Sequence, residues 1–159
     1  MSYQAVILTV SDSCAAGTRT DTGGPAIRAM LENAGFAVQA MQTVPDEEGQ
    51  ISAAIVHACD ILQADLVVTT GGTGLSPRDV TPEATLAVLD REIRAIPVAM
   101  WVEGLKSTPR AMLSRAVAGT RGHTLVLNVP GSEKAARENL GAVVATLDHA
   151  LRMLAGGGH

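Results

Sequence analysis

The chain has 159 residues, a formal net charge of −4 and a hydrophobic fraction of 47%. That length suits one domain, residues 1–159, and no apolar run approaches the roughly 20 residues that cross a bilayer, so no membrane partner is expected. Acids and bases are scattered without a Lys/Arg block, and one Trp, one Tyr and one Phe cannot build a base-stacking platform, so nucleic acid is not an expected partner.

The N-terminal "MSYQAVILTV" has neither a basic leader nor a small-residue cleavage site after its apolar run. It reads as a first strand over residues 5–11 and not as a signal peptide, which makes the cytoplasm the expected location. "GGPAIRAMLENAG" predicts a helix, with Pro25 in its first turn, Ile27, Met30, Leu31 and Ala34 on one face, and Gly35 as its stop. A second strand, "FAVQAMQTV", leads into "PDEEGQISAAIVHACDILQA", where Ile51, Ala54, Ile55, Ala58 and Leu62 share a helical face behind an acidic first turn.

"DLVVTT" reads as a strand buried on both faces. After the loop that follows it, Thr81 as N-cap and Pro82 at the first helical position predict a helix over "PEATLAVLDREI". "PVAMWVEGL" is a further helix, broken by Gly104 and "KSTP". "AMLSRAVAG" and "HTLVLNVPG" flank a "TRG" turn, and form a hairpin unless the first of them is irregular. Ser132 then caps a long helix striped by Leu140, Val143, Val144, Leu147, Leu151 and Leu154, with "GGGH" fraying beyond it.

Strands alternating with helices predict a three-layer α/β/α fold, a mostly parallel sheet with helices on both faces. In such sheets ligands bind beyond the carboxyl ends of strands, beside a reversal of strand order. Three loops qualify: "SDSCAAGTRTDTGG", "TTGGTGLSPRDVTP" and "NVPGSEK". Each joins a strand end to a helix start, where backbone N–H groups welcome an anion.

Gly71, Gly72 and Gly74 permit positive φ and close approach, while Thr69, Thr70, Thr73 and Ser76 add hydroxyls. Asp12, Asp46 and Asp79 would repel a phosphate unless Mg²⁺ lay between them, since that cation takes oxygen ligands from carboxylates and phosphates together. A magnesium nucleotide satisfies both sets of residues. Each piece alone has a plainer reading: "GGTG" as a tight turn, Asp79 as a solvated turn residue, Asp46 as a dipole-favoured acid, Ser132 as a simple cap. The glycines match neither a dinucleotide fingerprint, because Pro77 replaces the third glycine, nor a Walker loop. Cys14 and Cys59 fit no disulfide or zinc spacing, His57 and His149 have no second ligand at i+4, and Met41, Met100, Met112 and Met153 read as core filler.

Taken in order, "SDS", "VPDE", "TTGGTG" with "PRDVTPEAT", "MLSRAVAGTRG" and "LNVPGS" resemble the molybdenum-cofactor biosynthesis proteins of the molybdopterin adenylyltransferase type, the group that includes the G domain of gephyrin-like fusions. The resemblance spans nearly the whole chain. It implies a trimeric enzyme that uses Mg²⁺ to transfer AMP from ATP to the terminal phosphate of molybdopterin, handing the product to a molybdate-inserting enzyme. Carried over by position, Asp46 and Asp79 are the metal-binding and catalytic carboxylates. Gly71, Gly72, Thr73 and Gly74 lie against nucleotide phosphates, with Ser11, Asp12 and Ser13 in the same crevice. Ser114, Arg115, Pro130, Gly131 and Ser132 fall on the nucleotide or pterin side. Two other readings share the fold: a MoaB-type protein that binds the pterin without adenylating it, and a trimeric scaffold module. The insertase itself normally carries further domains, which 159 residues do not accommodate.

Overall fold

The computed structural model describes residues 2–157; the last two residues of "GGGH" lie outside them. Six strands form one sheet in the order β2-β1-β3-β6-β5-β4. β1 (Gln4–Val10), β2 (Ala37–Val44), β3 (Leu66–Thr70) and β6 (Thr124–Val129) run parallel, while β5 (Ala118–Arg121) and β4 (Arg91–Glu92) are antiparallel.

Alternation along the buried strands decides which helix packs where. Ala5, Ile7, Leu66, Val68, Leu125 and Leu127 face α2 (Gly23–Asn33), α5 (Ala95–Leu105) and α6 (Glu133–Leu154), meeting Ile27, Leu31, Met100, Leu140 and Leu147. Val6, Leu8, Val67 and Val126 point the other way, onto Ile51, Ile55 and Ala84 of α3 (Glu48–Val56) and α4 (Thr81–Leu86). These are the three expected layers.

From β1 the chain moves outward to β2, then crosses back so that β3 lands on the opposite side of β1. Strand order therefore reverses between β1 and β3, and the loops after these strands diverge around a crevice.

Several local expectations change. The helix predicted over residues 82–93 ends at Leu86, because Asp90 and Ile93 donate to Thr120 and Ala118 and make Arg91–Glu92 an edge strand. Gly119 makes room for this, since a Cβ there would collide with the Arg91 carbonyl oxygen. Thr81 lies inside α4, behind Val80 as N-cap, and its hydroxyl donates to the Gly71 carbonyl at 2.9 Å instead of capping. The second helix starts at Glu48 and ends in a π-helical turn, His57–Ile61. Of the four methionines read as core, only Met100 is buried; Met41, Met112 and Met153 are exposed. Residues 118–121 and 124–129 form the hairpin, whereas Pro109–Leu113 is a short 3-10 helix.

Candidate active site

The crevice at the strand-order reversal holds a cavity of about 800 Å³. Its floor is the glycine loop after β3. Gly71 (φ +103°) and Gly72 (φ +68°) use the left-handed region, as expected, but Gly74 does not. Gly74 is needed for space: a Cβ there would lie 2.9 Å from Asp79 Oδ2. At Gly71 a Cβ would collide with the Val10 carbonyl oxygen, and at Gly131 it would lie 3.2 Å from Gly71 Cα, so the three strand-end loops touch through glycine backbone.

The carbonyls of this loop are held from behind. Gly71 O accepts from the Thr81 hydroxyl (2.9 Å), Gly72 O from the Thr81 amide (3.1 Å), Thr73 O from the Arg115 amide (2.8 Å) and Gly74 O from Arg115 Nε (2.8 Å). The amides of Gly72, Thr73 and Gly74 meet no acceptor among the described residues. Successive carbonyls tied to the scaffold and successive amides left without an acceptor make a concavity of the kind that suits an anion, its dipoles set in advance.

Two carboxylates flank it. Asp46 Oδ2 accepts from the Asp12 amide at 2.8 Å, and Asp12 Oδ1 accepts from the Asp46 amide at 2.9 Å, which locks the loop after β1 to the loop after β2. Asp79 Oδ2 accepts from the Ser76 amide at 3.0 Å. Asp46 Oδ1 and Asp79 Oδ1 accept no hydrogen bond among the described residues; a Cβ on Gly72 would sit 3.1 Å from Asp46 Oδ1, and it is Asp79 Oδ2 that faces Gly74.

Burial raises the Asp46 carboxyl above the usual carboxylate range; the Asp12 amide opposes this, and the negative charges of Asp12 and Asp79 add to it. Asp12 is held below that range by hydrogen bonds from Arg78, at 3.0 Å to each oxygen, and from the Asp46 amide. Arg78 also reaches Glu47 at 2.9 Å, tying the glycine loop to the opposite wall.

Asp46 and Asp79 lie close enough for the charge of Asp79 to act on the Asp46 carboxyl, and their oxygens are the donor type that a hard divalent cation takes. Among the described residues there is no cluster of three or more acidic, His or Cys side chains suited to a metal. A magnesium ion would take its remaining ligands from phosphate and water, as it commonly does.

Of the residues singled out in the sequence, Ser11, Asp46, Gly71, Gly72, Thr73, Gly74, Asp79, Ser114, Pro130, Gly131 and Ser132 line this one cavity. Asp12, Ser13 and Arg115 do not. Asp12 anchors Arg78 and Asp46, and the Ser13 carbonyl accepts from the amides of Thr18 and Arg19. Arg115 stands behind the glycine loop, its third nitrogen on Glu83 at 2.6 Å. Ser132 caps the 22-residue α6, accepting from the Ala135 amide at 3.2 Å.

The cavity also takes in Arg19, Asp21, Thr108, Arg110 and Asn139. The loop carrying Arg19 and Asp21 was visible as a strand-end loop. Thr108 showed only a helix break in sequence and Arg110 carried no signal, because their place at the cavity depends on how the segment after α5 folds.

Comparison with known proteins identifies the family. The family model described as "Probable molybdopterin binding domain" matches residues 6–149. The chain is 36% identical over 154 residues to the molybdopterin adenylyltransferase of Helicobacter pylori strain J99, covering 94% of this chain and 86% of that protein. It is 40% identical to gephyrin of Dictyostelium discoideum but spans only 22% of its length. It likewise spans 25% of the Drosophila melanogaster protein cinnamon and 50% of the bifunctional protein of Chlorobaculum tepidum. The crystal structure of the molybdopterin biosynthesis enzyme MoaB from Thermus thermophilus superposes with a TM-score of 0.92 at 49% identity, covering 97% of both chains. With a strand-order reversal, a glycine loop of open amides and this breadth of similarity, the chain belongs to the molybdopterin-binding domain family of molybdenum-cofactor biosynthesis proteins.

Proposed function

We propose that this protein is a molybdopterin adenylyltransferase, transferring AMP from ATP to the terminal phosphate of molybdopterin and releasing pyrophosphate. The observation that carries the reading is the row of open amides at Gly72, Thr73 and Gly74 between two carboxylates that each keep a free oxygen. Both reacting groups are phosphates, so the barrier comes from bringing like charges together and holding them in line.

The glycine-loop amides grip phosphate oxygens without reorganising, because Thr81 and Arg115 already fix their carbonyls. Asp46 and Asp79 would hold magnesium, which supplies charge neutralisation between phosphate oxygens when bound. Ser11, Ser114 and Ser132 line the same space and orient the substrates. No side-chain nucleophile is required, since the attacking group is the pterin phosphate. A cavity of about 800 Å³ is within the range that takes nucleotide- or pterin-sized ligands.

The test is direct: incubate the purified protein with ATP, Mg²⁺ and molybdopterin and measure pyrophosphate release and adenylated pterin. A protein that binds molybdopterin but releases no pyrophosphate is of the non-adenylating kind, a second reading favoured by the 49% identity to MoaB.

The expected assembly is a homotrimer acting in the cytoplasm, upstream of a molybdate-inserting enzyme. What supports association is α5, which exposes Val98, Val102 and Leu105 at helical spacing beside exposed Met112 and Leu113. Among the described residues, no helix is long and apolar enough to cross a membrane.

A further inference from the structure

We propose that Arg19 and Arg110 form a second anion subsite in this cavity, one that holds a terminal phosphate of a bound substrate apart from the glycine-loop amides. Nine of the twelve Lys and Arg side chains form an ion pair with a carboxylate. Among the described residues, Arg19, Arg91 and Arg110 form none. Arg91 lies on the edge strand β4, away from the crevice. The other two line the same cavity, from different elements: Arg19 from the loop after α1 (Asp12–Ala15), Arg110 from the 3-10 helix after α5.

Their isolation is not for want of acids. Asp21, Asp46, Asp79 and Glu138 line the same cavity. Asp21 is taken by the Thr9 hydroxyl at 2.7 Å and the Gly24 amide at 3.0 Å, and Glu138 faces Lys134 at 3.9 Å. Asp46 and Asp79 bind the amides of Asp12 and Ser76. In a chain of net charge −4, two guanidinium groups that line a cavity also lined by four carboxylates, and pair with none of them, are available to an anion that comes with the ligand. Their planar donor fork matches phosphate geometry.

This rests on the adenylyl-transfer reading, in which two phosphate-bearing substrates occupy the cavity together. The glycine loop and its carboxylates serve the reacting phosphorus. A phosphate farther along either substrate needs its own counter-charge, and these arginines supply it. No bond is made or broken at this subsite.

The experiment is calorimetric titration of wild type and the R19A/R110A double variant with pyrophosphate, ATP, AMP and molybdopterin at low and moderate salt, with thermal unfolding as a fold control. Both side chains are exposed and unpaired, so the variant is expected to fold as wild type does. A loss of about tenfold or more for pyrophosphate and ATP, with AMP unchanged and a shallower salt dependence, places the outer nucleotide phosphates at the pair. A similar loss for molybdopterin alone places the pterin phosphate there, and also supports the subsite. Unchanged binding of all four, or an equal loss for all four including AMP, overturns it. If wild type binds pyrophosphate but releases none from ATP and molybdopterin, adenylyl transfer falls while the subsite is decided by the titrations. If wild type binds none of the four, both fall.

Discussion

Arg115 Nε donates to the carbonyl of Gly74 at 2.8 Å, and through this contact a residue outside the cavity shapes its floor. The same guanidinium reaches the Asp79 carbonyl at 2.7 Å and Glu83 at 2.6 Å, and the Arg115 amide takes the Thr73 carbonyl at 2.8 Å. One side chain thus sets the peptide orientation on both sides of the 75–78 turn.

Arg115→Ala is expected to lower kcat more than it raises KM for ATP, because the open amides would lose their fixed direction. Leaving partly buried carbonyls without a donor costs roughly 1–3 kcal/mol, so a drop in Tm accompanies it. Arg115→Lys recovers little, since an ammonium lacks the planar fork needed for three acceptors, whereas added guanidinium ion should restore some turnover to the alanine variant. A variant with unchanged kcat would show that the loop holds its shape without this residue.

Asp79→Ala is expected to remove most turnover, about a hundredfold or more, while leaving the fold intact. Stability by thermal melt and AMP transfer at saturating Mg²⁺ check the two halves separately. Wild-type transfer by this variant would sink the assignment of Asp79 to the metal.

Asp46→Asn separates stability from function through pH. The folded-state pKa of Asp46 is raised, mainly by burial, so its favourable contribution is full below the unfolded value near 3.8 and is lost as pH rises through the folded value. At neutral pH the ionised carboxylate is a cost. Asparagine carries no charge and its carbonyl can still accept from the Asp12 amide. In EDTA the variant should melt higher than wild type at pH 7, with the gap closing toward acid pH, and it should bind Mg²⁺-ATP more weakly. Equal melting temperatures across that range would contradict the burial argument.

Gly72→Ala and Gly122→Ala make a matched pair. Both glycines have positive φ, +68° and +57°, but a Cβ on Gly72 would collide with Thr81 Oγ1, while one on Gly122 meets nothing within 4 Å. The Gly122 change should cost about 1 kcal/mol from backbone strain alone and spare activity. The Gly72 change should cost more, on the order of 2–4 kcal/mol, and abolish turnover by displacing Thr81 and Asp46. Comparable Tm losses would mean that the glycine loop yields more easily than its contacts imply.

Much of this protein was readable in one dimension because its signals are local. Buried runs such as "DLVVTT" mark strands, Gly35 and Ser132 mark helix ends, and the small-residue stretches sit where strands stop. The resemblance of those stretches to one family added the pairing of Asp46 with Asp79. Local propensity could not see that Arg91–Glu92 would leave a helical pattern to pair with β5, since Gly119, far along the chain, makes the room. Nor could it tell a residue that lines the cavity from one that braces it. Ser114 and Ser11 line the cavity while their chain neighbours Arg115 and Asp12 do not, and Arg19 and Arg110 come to one cavity from elements far apart in the chain. Sequence determined the long strands and helices, their order and the small-residue loops between them, because each depends on near neighbours. Folding decided direction and company, because hydrogen bonds between residues 34 to 60 positions apart exist only once the sheet brings three loops together.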